Sequence, residues 1–342
     1  MRLFWLTLLS FLAVRVSAAD LPRSAHFERA NEVLAKGNCF SFLVLIDGRV
    51  VHEDYRDGGR PDRASELASG TKSFSGVLAL RAVEDGLLTL DEKASATLTE
   101  WRDDPKRRDI TLRELLNLTS GIPGRDFGSA WGRPPSYRDA VAKEARWRPG
   151  QRYSYGPNPF QIFGEILRRK LEARNETVAG YLRKKILDPL GISPGAWRRD
   201  VDGQPHLPSG AALTARDWAK FGECIRLDGR GVLPPGKLAE LFVGTSAKPG
   251  YGVTWWLPGA GPIGTVFERD VGAGKLPRDV WMAAGAGGQR CVVIPSLKLV
   301  AVCQAPVRMA EAKFDEAEFL AELVAGARKL ALEQAAAAKP GE

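Results

Sequence analysis

Ser69-Gly70-Thr71-Lys72 sets a hydroxyl and an amine three residues apart. The spacing matters because residues i and i+3 share one helix face, where a lysine side chain reaches the serine oxygen. A helical pattern from Ser69 to about Glu84, ending before Gly86, predicts that helix. Its N-terminal end carries positive potential, which favours a developing negative charge. A lysine held there and partly withdrawn from water gives up its proton near neutral pH and acts as a base toward the serine. This is the only S-x-x-K in the sequence. A chain of this length contains on the order of one by chance. Read alone, the tetrad is better explained as an N-cap serine followed by a surface lysine.

The flanking text reverses that weighting. Glu66-Leu67-Ala68-Ser69-Gly70-Thr71-Lys72-Ser73-Phe74 closely resembles the nucleophile segment of the superfamily of class C β-lactamases and D-alanyl-D-alanine peptidases. Glu84 to Asp91 is similar to the turn that follows the family's nucleophile helix. Ile110-Thr111-Leu112-Arg113-Glu114-Leu115-Leu116-Asn117-Leu118-Thr119-Ser120-Gly121-Ile122-Pro123 resembles its most recognisable non-catalytic segment. Leu190-Gly191-Ile192 and Leu213 to Gly222 match as well, so the resemblance covers nearly all of the chain after residue 19. It implies that Ser69 attacks a carbonyl and that Lys72 takes its proton.

The family's second element is a Tyr-x-Asn after a Pro-Gly loop. Here Pro149-Gly150 leads to Tyr155, which the resemblance casts as the catalytic tyrosine. The family asparagine position holds Pro157, which has no side-chain amide, and Asn158 follows by one residue as a candidate substrate-binding group. The third element is normally Lys-Thr-Gly or His-x-Gly on the strand lining the cleft. The matching stretch here is Ala283-Ala284-Gly285-Ala286-Gly287-Gly288-Gln289, with no lysine or histidine. Such Gly-Gly-Gln stretches are more similar to the ester- and amide-hydrolysing branch, including nylon-oligomer hydrolases, than to true β-lactamases. Gly285, Gly287 and Gly288 let backbone approach a substrate closely. The N–H groups of Ser69 and of about Gly288 then form the expected oxyanion hole. Arg290, beside these glycines, could in principle supply the missing cation, unless strand alternation turns its side chain away from the cleft.

The elements that must position these groups follow from patterning. Ser24 to Lys36 reads as an amphipathic helix. Phe40 to Ile46 and Arg49 to Tyr55 read as strands joined by Asp47-Gly48, a strong hairpin signal. Leu87 to about Gly244 is a series of helical segments between Pro/Gly loops. One of them starts at Thr214, with Asp217 placed for a variant capping box. Strand character returns at Tyr251 to Leu257, Val280 to Ala284, Gln289 to Ile294 and Leu299 to Gln304, and a helix closes the chain from about Asp315 to Ala335. The expected class is therefore α+β: a β-lactamase/transpeptidase-like antiparallel sheet flanked by helices, with a mostly helical second lobe. Its sheet is drawn from about 38–60 and 250–305, its helical lobe from about 87–244, within one domain at 20–335, and 336–342 is a frayed tail.

Composition narrows the function. The chain has 342 residues, 44% hydrophobic and 26% charged, which is ordinary globular usage. The formal charge of +8 is spread in short groups with no aromatic-interleaved stripe, so no nucleic-acid partner is expected. Arg2, an apolar run at Leu3 to Val14 and small residues at Val16-Ser17-Ala18 read as a signal peptide over 1–19. The expected location is periplasmic or secreted, with no membrane span after signal removal. Four cysteines match no metal spacing. Cys291 and Cys303 read as residues on neighbouring strands, either paired or free and buried. His26, His52 and His206 form no zinc pattern, and no cofactor or metal is expected. No G-x-S-x-G occurs, which argues against an α/β-type Ser-His-Asp hydrolase. The resemblance implies a serine hydrolase that forms an acyl-enzyme at Ser69 and acts on small esters or amides. A β-lactamase or D-alanyl peptidase ranks second, and a non-catalytic ligand-binding relative is the competitor from another class.

Overall fold

The computed structural model describes residues 21–126, 134–258, 274–307 and 314–337. The expected signal segment and residues 338–342 of the expected tail lie outside them. A 3-10 turn at Ala25–Phe27 leads into α1 (Glu28–Lys36), then the hairpin of β1 (Ser41–Ile46) and β2 (Arg49–Tyr55). Both turn residues have positive φ, 49° at Asp47 and 76° at Gly48, as the dipeptide predicts. Next come β3 (Ser65–Glu66), a 3-10 turn at Ala68–Thr71 and α2 (Lys72–Glu84). The middle of the chain supplies α3 (Leu112–Leu116), α4 (Tyr137–Val141), α5 (Asn158–Glu172), α6 (Val178–Leu182), β4 (Ala196–Trp197), β5 (Ala211–Leu213) and α7 (Ala215–Arg226). The end of the chain supplies β6 (Trp281–Gly285), β7 (Gln289–Ile294), β8 (Leu299–Gln304) and α8 (Glu316–Ala337).

Strands from both ends of the chain join in one antiparallel sheet of order β2-β1-β8-β7-β6. The join is β1 on β8, from Ser41 opposite Gln304 to Ile46 opposite Leu299. Alternate strand residues face opposite ways. Phe42, Met282 and Val292 pack with Phe27 of the N-terminal turn and with Phe319 and Leu323 of α8. Leu43, Cys291 and Val300 pack on the other side, with α2 and α7. The same alternation resolves the cysteines. Cys291 lies opposite Val302, one position off Cys303, so the two face opposite sides, and all four thiols are free and buried.

Several expectations are corrected. Tyr251 to Leu257 is not a strand: Thr254 at φ 73° closes a turn in which the Gly252 N–H reaches the Trp255 carbonyl, leaving isolated bridges from Trp256 to Tyr251 and to Met282. The helical middle also holds β4 and β5, which join β3 in a small sheet of order β3-β5-β4. Strands of two or three residues are too short to show a period in sequence. At α7, Thr214 Oγ1 accepts the Asp217 N–H at 3.0 Å, but the Asp217 carboxylate holds Lys220. The full reciprocal box forms at Thr111 and Glu114 instead. The last helix runs to Ala337, beyond the expected Ala335.

Among these elements α2 decides where the chemistry sits. Its residues from Lys72 to Leu80 are all buried, so that stretch has no solvent face, as expected of a helix at the centre of a lobe. Phe74 stacks on Phe221 of α7 with ring centroids 3.8 Å apart, a pairing worth about 0.5–1.5 kcal/mol beyond its buried area.

Candidate active site

Ser69 lies in the 3-10 turn that leads into α2, between the small sheet and the edge strand β6. The Leu67 N–H bonds the Ala211 carbonyl at 2.9 Å, and the Ala211 N–H bonds Thr71 Oγ1 at 3.2 Å, so β5 grips both sides of the turn. Ala68, directly before the serine, has φ 46°. That left-handed backbone is costly for a residue with a Cβ and persists only where its surroundings impose it. Gly285 supplies the other side. A Cβ there would stand 2.0 Å from the Leu67 carbonyl oxygen and 3.1 Å from the Gly70 nitrogen, so only glycine lets β6 lie this close.

Lys72 Nζ donates to Ser69 Oγ at 3.0 Å and to the Pro208 carbonyl at 3.1 Å. It lies 5.0 Å from the Tyr155 ring centroid and 5.4 Å from that of Phe160. Lys72 is 4% exposed, and among the described residues it makes no ion pair. Desolvation without a carboxylate to offset it pulls the ammonium down to about 7. Ser69 is therefore no N-cap here: its oxygen is engaged by Lys72, and neither the turn nor α2 has a side-chain cap.

Tyr155 completes the cluster. Ser69 shares a hydrogen bond with its phenol. Burial pushes the phenol up, and the Ser69 hydrogen bond and then the positive charge of Arg290 pull it back, leaving it above its ordinary value. The loop that carries it is seated on the segment after α3: the Ser154 N–H bonds the Leu118 carbonyl at 2.9 Å, Gly150 N–H that of Thr119 at 2.8 Å, and Trp147 N–H that of Gly121 at 3.2 Å. This gives the distinctive 110–123 segment a physical role, as the bed of the tyrosine loop. Tyr251 and Trp256 stand beside Tyr155, with centroids 6.3 and 5.7 Å away.

The remaining predicted residues are placed less directly. Asn158 sits in the first turn of α5, 1% exposed, with Nδ2 donating to the Pro123 carbonyl at 3.0 Å, a contact that ties that loop to the helix. Gly287 and Gly288 lie in a 3-10 turn at Ala286–Gly288 that follows β6, with φ 79° and 100°. Arg290 faces α8 and pairs with Glu316 there, away from the helical lobe. Sequence reading missed the Pro208 carbonyl, the Phe160 ring and the left-handed Ala68. A backbone acceptor leaves no mark in residue type, and nothing in the text around Ala68 signals its φ.

A family model described as Beta-lactamase matches residues 34–314. The chain belongs to the Beta-lactamase family. The "Lovastatin esterase" of Penicillium rubens is 29% identical over 154 residues, 37% of this chain and 38% of that protein. "Protein flp" of Staphylococcus aureus is 23% identical over 189 residues, 51% of this chain and 37% of that protein. The chain thus spans under two-fifths of the length of either relative. Among solved structures, a penicillin-binding protein homologue from Caulobacter crescentus superposes with TM-score 0.67 at 16% identity, covering 90% of this chain and 98% of that one. A family VIII carboxylesterase superposes with TM-score 0.65 at 15% identity, covering 90% and 98%. At such identities these neighbours establish the fold, which is β-lactamase/transpeptidase-like as the sequence implies.

Pro157 stands at the N-cap of α5, and Ala283 to Gly288 hold no charged side chain.

Proposed function

We propose that the chain is an exported serine hydrolase that forms an acyl-enzyme at Ser69 and cleaves small uncharged esters or simple amides. The observation that carries this is the desolvated Lys72 ammonium donating to Ser69 Oγ at 3.0 Å, with no carboxylate paired to it among the described residues. Near neutral pH a large share of Lys72 is neutral, and its free lone pair takes the Ser69 proton, directly or through Tyr155. The serine oxygen attacks the carbonyl carbon, and the N–H groups of Ser69 and the Gly288 region receive the oxyanion. The collapsing intermediate expels the alcohol or amine, which takes the proton back from Lys72 or Tyr155. Water then attacks the acyl-enzyme under the same base. The names of the lovastatin esterase and the family VIII carboxylesterase agree with ester substrates.

Substrate preference follows from missing charge. A β-lactam or a peptide terminus brings a carboxylate that needs a strong donor. The cleft strand offers none from Ala283 to Gly288, and Arg290 is engaged with Glu316. Loss of one charge-assisted contact costs about 1.5–3 kcal/mol, roughly ten- to a hundredfold in rate. The kcat/KM for p-nitrophenyl butyrate is expected to exceed that for nitrocefin by at least that factor. A nitrocefin value far above the ester value refutes the preference and promotes β-lactam hydrolysis.

Export rests on the Arg2-led apolar run and the small residues at Val16-Ser17-Ala18. N-terminal sequencing of protein from the native host is expected to start near Ala19 or Asp20. A cytoplasmic protein that keeps Met1 defeats this part of the proposal.

A further inference from the structure

Arg290 is 7% exposed, yet it is the second residue of β7 and follows the glycine turn by two positions. Its Nη1 donates to the Gly285 carbonyl at 3.0 Å and to the Gln289 carbonyl at 2.9 Å. Those carbonyls belong to the residues directly before and directly after the turn at Ala286–Gly288, so one guanidinium nitrogen joins both ends of the turn. Nε is paired with Glu316 in the first turn of α8, and the guanidinium carbon lies 5.8 Å from the Phe314 ring centroid. Two further bonds hold the same turn from below. Cys303 Sγ donates to the Gly288 carbonyl at 3.4 Å, and Gln289 Nε2 donates to the Ala305 carbonyl.

A buried ion pair is weak evidence of a stabilising role, because desolvating both charges offsets much of their attraction. Its value here lies in geometry. A guanidinium presents five donors in a rigid fork, and a lysine has no such fork. The turn has two consecutive glycines at positive φ, which leaves its conformation poorly fixed by its own side chains. The Gly285 end also abuts Leu67 and Gly70, which flank Ser69, so any drift of the clamp moves the backbone packed against the serine turn.

We propose that Arg290 is a positioning residue: clamped by Glu316, it closes the Ala286–Gly288 turn and holds the turn's N–H groups at the oxyanion position beside Ser69. This inference rests on the serine-hydrolase reading above. Arg290 thus lies behind the turn, paired with Glu316, where it shapes the backbone.

The test compares wild type with Arg290→Met, Arg290→Lys and Glu316→Gln. It reads the rate of Ser69 labelling by a fluorophosphonate, whose phosphoryl oxygen occupies the oxyanion position, together with kcat and KM for p-nitrophenyl butyrate. Arg290→Met is expected to slow labelling and kcat by about 30-fold, below the roughly 10²–10³ lost when an oxyanion donor itself is removed, with KM within about threefold. Arg290→Lys is expected to recover part of the rate, and Glu316→Gln to fall between wild type and Arg290→Lys. A folded Arg290→Met protein labelled at the wild-type rate overturns the inference. If Arg290→Met does not fold, Arg290→Lys decides: wild-type labelling overturns the inference, and slowed labelling with unchanged KM supports it. Should wild type itself resist labelling, the hydrolase reading fails on its own. Hydrogen exchange of the 285–290 peptide then decides the clamp: faster exchange in Arg290→Lys supports it, and unchanged exchange overturns it.

Discussion

Ser69→Ala is expected to lower ester turnover by about 10⁴-fold or more and to abolish covalent labelling, with the fold intact. The magnitude follows from removing the nucleophile itself, since what remains is binding and the oxyanion donors. The fold survives because the serine oxygen is not a structural cap. The turn is gripped through Leu67, Thr71 and Ala211, none of which needs the hydroxyl. Circular dichroism and thermal unfolding check the fold, and steady-state kinetics with intact-mass detection of the acyl-enzyme check the chemistry. Retention of wild-type turnover would remove Ser69 from the mechanism.

Lys72→Met is expected to lower kcat by about 10²–10⁴-fold, the span of a positioned general base. The same change is expected to raise the thermal midpoint. Burial lowers the Lys72 pKa from the unfolded 10.5 to about 7, so between those values the unfolded chain holds one more proton than the native one. Stability at this site therefore rises with pH through that window and is lowest below it, where a buried charge must be kept. Methionine removes the penalty and its pH dependence together. A more stable yet inactive variant separates the base from any scaffold role, whereas a less stable one with full activity contradicts both halves. In wild type the same value is expected to set the ascending limb of kcat/KM. The midpoint is expected near pH 7, with a tenfold loss per unit below it, because only neutral Lys72 accepts the proton. A profile flat from pH 5 to 8 rules out Lys72 as the base.

The Ser69–Lys72 contact was legible because it is written locally. Ser69 and Lys72 are three residues apart in one helical run, and helix periodicity alone brings their side chains together. The Asp47-Gly48 hairpin, β7, β8 and most of α8 were legible for the same reason: each is a local pattern with one period. The 110–123 segment was recognisable as text, but its use became visible only when its carbonyls were seen to hold the Tyr155 loop.

Contacts between distant segments were not legible. Tyr155 reaches Ser69 across 86 positions, from a loop seated on the segment after α3. Tyr251 to Leu257 has the composition of a strand, and a single left-handed residue, Thr254, turns it into a loop. By itself the sequence determined the candidate nucleophile and base, the sheet drawn from both chain ends and the absence of a cation from Ala283 to Gly288. Only the tertiary structure decided that Lys72 is dry and, among the described residues, without an ionic partner, and that Arg290 turns toward Glu316. The physical reason is that local periodicity fixes which side chains share a face of one element, whereas desolvation and long-range pairing depend on which elements pack together.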